Sequence, residues 1–114
     1  MDANTAQQAA REGKSLSGQD FSNADLRNID LSGADLSGCN FQDANLSGAN
    51  LSNCNMQNCD LRRANLSHAN LMNADLRGAK FRRANLTGSI RFGAKIKPFA
   101  LKGAYLTGEP AYQD

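Results

Sequence analysis

The chain contains no tryptophan, one histidine and two prolines, and aromatic residues make up 6% of it. With so few aromatics, no stacking platforms interleave with the basic residues, which disfavours a nucleic-acid groove. No stretch approaches the ~20 consecutive apolar residues of a membrane helix, so no membrane span is expected. Met1 to Lys14 lack the basic start and apolar run of a secretory signal, which makes cytoplasmic residence the default expectation. No glycine-rich phosphate loop is present, because the 10 glycines are spaced as turn residues. A chain of 114 residues is expected to form one domain.

What is present is a beat of five. Apolar residues stand at Leu16, Phe21, Leu26, Leu31, Leu36, Phe41, Leu46, Leu51, Met56, Leu61, Leu66, Leu71, Leu76, Phe81 and Leu86. The beat misses at Arg91 and resumes at Ile96, Leu101 and Leu106. A period of five matches neither the helix nor the flat strand. Two residues before each beat stands a small residue, mostly alanine, with Cys39, Cys54 and Cys59 in the same place. Residues two apart on extended backbone share a face. Each pentapeptide therefore points one large and one small side chain inward, with an Asp or Asn between them facing out. The other two residues, such as Ser32-Gly33 or Ser52-Asn53, are of the types that turn a chain.

Unusual residues recur at four pentapeptides. Phe21, Phe41 and Phe81 share one column with Leu61 and Leu101, Cys39 precedes Cys59 by 20, and Arg62-Arg63 precedes Arg82-Arg83 by 20. Four sides of five residues account for all three coincidences. The reading is an all-β quadrilateral solenoid of about four to five coils, stacked at roughly the 4.7–4.9 Å strand spacing. Residues 1–13 are expected to form an N-terminal cap, 14–108 the solenoid, irregular from 89 and closing the C-terminal end, and 109–114 a tail. Within the cap, Thr5 to Gln8 fits a capping box and Ala6 to Glu12 a short helix closed by Gly13. At the far end, Phe99 stands where alanine is usual and is expected to lie over the last coil.

The three cysteines read as packing residues in place of alanine. His68 falls in an outward turn position away from them, so no metal site is expected. Asp20, Asp25, Asp30, Asp35, Asp60 and Asp75 project from an open surface, whereas acid–base chemistry needs groups that converge in a cleft. Columns such as Asn45, Asn65 and Asn85 suggest amide ladders. Nothing reads as an enzyme, and no cofactor or small-molecule substrate is expected. Net charge is +2, but residues 1–57 carry −4 and residues 58–114 carry +6. Arg62, Arg63, Arg82 and Arg83, followed by Lys102, stack in equivalent turns, and Arg77 and Lys97 form a second column. These seven make the candidate interaction surface.

Ala24-Asp25-Leu26, Ala44-Asn45-Leu46 and Ala64-Asn65-Leu66 follow an A-(D/N)-L-x-x pattern that resembles the pentapeptide-repeat family, over roughly residues 14–108. The resemblance implies a right-handed quadrilateral β-solenoid. It also implies action by binding, and admits periplasm or thylakoid lumen if a leader has been removed. Some members imitate DNA and engage type II topoisomerases, which needs a long acidic rod with a C-terminal dimerisation helix. This chain is short and net positive, with no such helix evident, which argues against that role. The expected function is a non-enzymatic structural or protein-interaction module with an unknown protein partner. The alternative is an anion- or nucleic-acid-binding surface on the arginine column, and end-to-end pairing of copies is open.

Overall fold

The hydrogen bonds of one pentapeptide show why the chain coils. In the computed structural model, which describes residues 1–106, all five N–H groups from Asn40 to Ala44 find acceptors. Asn40 N donates back to Gln19 O at 3.0 Å, while Phe41 N and Asp43 N donate forward to Asp60 O and Arg62 O at 2.8 and 3.1 Å. Ala44 N closes the turn on Phe41 O at 3.0 Å. Gln42 N, which faces no neighbouring coil, donates to Asn40 Oδ1 at 2.9 Å. Buried backbone needs such a complete account, and here five residues supply it.

The same pattern repeats along the rod. Parallel bridges join residues 20 apart, from Asp20–Asn40 through Asn85–Tyr105, giving a four-sided coil. With two residues of every five used to turn, each side pairs through one bridging residue. Continuous strands do not form among the described residues, and in this the structure differs from a strand-built all-β chain.

Every corner needs a left-handed residue, as the third position of a type II turn does. From Gly18 to Gly93, that position has φ between 59° and 80° whether glycine or not, including Arg63 at 61° and Arg83 at 62°. Asn and Asp are the commonest non-glycine choices there because they tolerate this region best. The corner after Ile96 is the exception. It falls on Pro98, whose ring locks φ near −65°, and the chain enters a 3₁₀ turn over Pro98–Leu101 instead. The regular corner returns at Gly103, with φ 88°.

Large inward residues fill the axis. The fourteen from Phe21 to Phe81 and Leu86 on the five-residue beat are each at most 2% exposed. Phe21 and Phe41 stack with centroids 5.3 Å apart and planes 10° from parallel. Arg91 keeps its inward position at 7% exposure, with Nη1 donating to Ser89 Oγ at 2.8 Å.

Helix α1 spans Ala3–Arg11 rather than Ala6–Glu12. Asp2, not Thr5, caps it, with Oδ1 accepting from Thr5 N at 2.8 Å. An aspartate three residues earlier offers the first turn a charged acceptor, which outcompetes the threonine hydroxyl. Gly13 ends the helix at φ 73°, with Gly13 N donating to Ala10 O and Lys14 N to Ala9 O, a Schellman arrangement. Ala6 is fully buried in the core cluster, and Gln7 Oε1 accepts from Asp30 N at 2.8 Å, so α1 is tied to the early coils. At the other end Phe99 does not cover the last coil. It is 79% exposed, and Leu101 is the residue that buries, at 5%. Thr107 to Asp114, including the expected tail 109–114, lie outside the described residues.

Two tests follow from this core and these turns. Leu66→Ala, at a fully buried site between Leu46 and Leu86 in its column, should cost on the order of 2–5 kcal/mol. Ser67→Ala should cost below about 1 kcal/mol, and equal losses in denaturant melts would sink the register. The outward aspartates give the second test. Asp20, Asp25, Asp30, Asp35, Asp60 and Asp75 are each held below the usual carboxylate range by hydrogen bonds from the residue two further on, Asp25 down to about 2 by Arg27. A carboxylate lowered on folding stabilises the fold above its unfolded value, near 3.9, and that help is lost as pH falls through the folded value. Melting temperature should therefore drop between about pH 4 and pH 2; a flat profile there would refute the assignment.

Candidate functional site

Each outward Asp or Asn has a local task. Asp20 accepts from Ser22 N, Asn45 from Ser47 N, Asn65 from Ser67 N and Asn85 from Thr87 N, at 2.9 to 3.0 Å. These are Asx turns. The amide ladder expected of Asn45, Asn65 and Asn85 does not form, because each side-chain oxygen is already committed to its own corner.

The same geometry divides the basic residues into two sets. Where arginine follows aspartate by two, the guanidinium folds back onto the carboxylate. Arg62 Nη2 lies 2.6 Å from Asp60 Oδ2, and Arg77 Nη2 lies 2.6 Å from Asp75 Oδ2. Arg27 pairs with Asp25 likewise at 2.7 Å. Arg63 reaches across one coil to Asp43, with Nε 2.9 Å from Oδ1, and donates to Gln42 Oε1 at 3.0 Å. Three of the seven candidate surface residues thus carry compensated charge. The column of stacked, mutually repelling arginines expected from sequence is not continuous.

The other four are Arg82, Arg83, Lys97 and Lys102. None of them forms an ion pair among the described residues, and neither do Lys80 and Lys95. The reason is again local. Arg82 follows Lys80 by two, Lys97 follows Lys95, and the position 20 before Arg83 holds Arg63. These cations belong to the last coils.

A cleft of about 760 Å³ opens among them, lined by Arg62, Lys80, Phe81, Arg82, Phe99, Ala100, Lys102 and Gly103. Its cause is the proline-broken corner. Asp20–Asn40 and Asp60–Lys80 bridges mark this side of the rod, but no bridge joins Lys80 to Ala100. Ala100 N donates to Lys97 O within the 3₁₀ turn instead. Pairing resumes with Arg83 N to Gly103 O at 2.9 Å. The Lys102 ammonium sits 5.6 Å from the centroid of the exposed Phe99 ring, within cation–π range. Lys80 and the exposed Phe99 are the site residues that sequence reasoning missed. The signal was present, since Lys80 replaces the Asp or Asn of positions 20, 40 and 60.

The cysteines are free, buried thiols, each donating to a carbonyl of an adjacent coil: Cys39 to Leu16 O, Cys54 to Leu31 O and Cys59 to Leu36 O, at 2.9 to 3.0 Å. Burial pushes Cys39 and Cys54 up to about 11 and Cys59 to about 12, which keeps them protonated and unreactive. No His, Cys, Asp and Glu cluster able to hold a metal ion occurs among the described residues. No helix there is long and apolar enough to cross a membrane.

Comparison with known proteins agrees with this architecture. The family model described as pentapeptide repeats matches in 8 copies over residues 20–58 and 49–88. No curated protein matches by sequence. Among solved structures, HetL from the cyanobacterium Nostoc sp. strain PCC 7120, a pentapeptide repeat protein involved in heterocyst differentiation regulation, is 34% identical with a TM-score of 0.53, covering 88% of this chain and 43% of HetL. Rfr23 from the cyanobacterium Cyanothece 51142 is 38% identical, with a TM-score of 0.47 over 82% of this chain and 57% of its own. A pentapeptide repeat protein from the Arabidopsis thaliana thylakoid lumen is 35% identical, with a TM-score of 0.44 over 77% of this chain and 68% of its own. The chain thus spans little more than half of Rfr23 and less than half of HetL. The matched repeats over residues 20–88, the four-sided coil and the likeness to HetL agree: this chain belongs to the pentapeptide repeat family, whose fold is the right-handed quadrilateral β-solenoid.

Proposed function

We propose that this protein acts by binding rather than catalysis, as a rod of between four and five coils that docks an acidic surface of a protein partner through its C-terminal end. The observation that carries this reading is the set of cations Lys80, Arg82, Arg83, Lys95, Lys97 and Lys102, which have no ion pair among the described residues, while Arg27, Arg62, Arg63 and Arg77 on the earlier coils are each paired with an aspartate. Side chains that solvate a rod at random would show no such division. Charge of one sign gathered at one end raises encounter rates with an oppositely charged patch and orients the encounter. The helix α1, packed at the front, leaves the basic end as the part of the rod with most exposed apolar and cationic surface together: Ile90, Phe92, Phe99 and Tyr105 are all at least 46% exposed. A net positive rod is a poor imitation of DNA, which speaks against topoisomerase mimicry.

Affinity capture from a nuclease-treated native extract, at low and moderate salt, tests this. Arg82→Glu with Arg83→Glu should abolish retention of an acidic partner, whereas the charge-matched Arg63→Glu with Arg77→Glu should leave it largely intact. Equal behaviour of the two variants would refute the role of the last coils. Retention that vanishes with nuclease would move the reading to nucleic acid, whose binding falls steeply with salt. Retention of the chain itself would identify head-to-tail pairing of acidic front with basic back.

A further inference from the structure

Along one side of the rod, residues 20, 40 and 60 are each Asp or Asn, and each supplies the oxygen that accepts the N–H two residues later. At position 80 that residue is lysine, which has no acceptor to give. Arg82 N–H consequently has no acceptor among the described residues. The lost pairing with Ala100 leaves Phe81 N–H and Ala79 C=O in the same condition, although Phe41 N and Leu61 N, two coils and one coil earlier, donate forward to Asp60 O and Lys80 O at 2.8 Å. Two consecutive residues with open backbone donors, Phe81 and Arg82, therefore line a cleft whose charged side chains are Arg62, Lys80, Arg82 and Lys102, and the open acceptor belongs to Ala79, the residue before the lining Lys80. Every other turn of this side is built to receive extended backbone at that place.

We infer that the cleft takes a short, extended, acidic peptide segment of the partner, which adds its backbone to residues 79–81 in place of the missing rung and lays a carboxylate on Arg82 N–H, in place of the missing Asx oxygen. This rests on the reading that the basic end docks an acidic partner, and it names the element docked. Strand addition of this kind draws affinity from main-chain hydrogen bonds and selectivity from flanking side chains. The cations select for acid, and the exposed Phe99 ring offers an apolar contact to the alternate side chains of an extended segment. Two residues keep the cleft open. Pro98 cannot adopt the corner conformation, and Phe99 is too large for the small inward place that Cys39, Cys59 and Ala79 hold in its column.

A blocked pentapeptide alternating glutamate and valine, and its backbone N-methylated form, probe the site on the ¹⁵N-labelled protein. Binding of the first should slow exchange of the Phe81 amide by about tenfold or more. The N-methylated form, deprived of its donor to Ala79 O, should bind at least about tenfold more weakly. Pro98→Gly combined with Phe99→Ala restores the repeat pattern and keeps every cation. It should protect the Phe81 amide without any peptide and lose peptide binding. If both peptides bind equally and Phe81 exchange is unchanged, charge alone holds them, and strand addition is overturned while acidic docking stands. If neither the peptide nor long polyglutamate binds at low salt, both readings fall.

Discussion

The rod rests on one backbone interaction repeated at an interval of 20 residues. The residue before each inward leucine donates to the coil behind, and the leucine itself donates to the coil ahead. A solenoid of this kind has no long-range contact beyond its neighbouring coils, so its stability is close to a sum of coil and interface terms. That places strict demands on every pentapeptide. Inward volume must alternate large and small, the corner must accept positive φ, and the one N–H that no backbone carbonyl receives needs a side-chain oxygen. Asp or Asn at the outward position meets the last demand, which is why the carboxylates serve turns and not catalysis.

Charge follows from the same constraint. An aspartate placed for an Asx turn is also placed to hold an arginine two residues on, as Asp25 holds Arg27, Asp60 holds Arg62 and Asp75 holds Arg77. Surface pairs of this type add little to stability, but they decide which cations remain available to a partner. Lysine stands in place of Asp or Asn at 80 and 95, beside Asp60 and Asp75 of the preceding coil, and from there the exposed basic residues form no ion pair among the described residues. The change of local turn chemistry and the appearance of available positive charge are thus one event in the chain.

The last coil departs from the rest for equally local reasons. Pro98 denies the corner its left-handed residue, the chain tightens into Pro98–Leu101, and one rung of the ladder is lost. Leu101 still buries, so the axis remains covered, while Phe99 is left on the surface. The result is a cleft lined by cations, beside backbone groups that have no partner among the described residues. Ends are where a repeat protein differs from its own interior, and here the difference carries the most distinctive chemistry of the molecule.

Period, inward register and number of sides were legible in the sequence because each depends on residues within one pentapeptide or on recurrence at 20. Arg27, Arg62 and Arg77 each announce their ion pair by an aspartate two residues before, so even that was open to reading. The helix start was misplaced because Asp2 and Thr5 both suit a cap, and only the packing of Ala6 into the core and the bond from Asp30 N to Gln7 fix the helix where Asp2 wins. The amide ladder failed because an oxygen can be claimed by its own corner before a neighbouring coil reaches it. Lys80 and Pro98 marked the place in the sequence, but the cleft itself did not follow from them: it depends on how far the 3₁₀ turn carries residues 99 and 100 from the backbone at 79 to 81. Local spacing determines what each pentapeptide does, and only three-dimensional stacking decides where the stack fails to close.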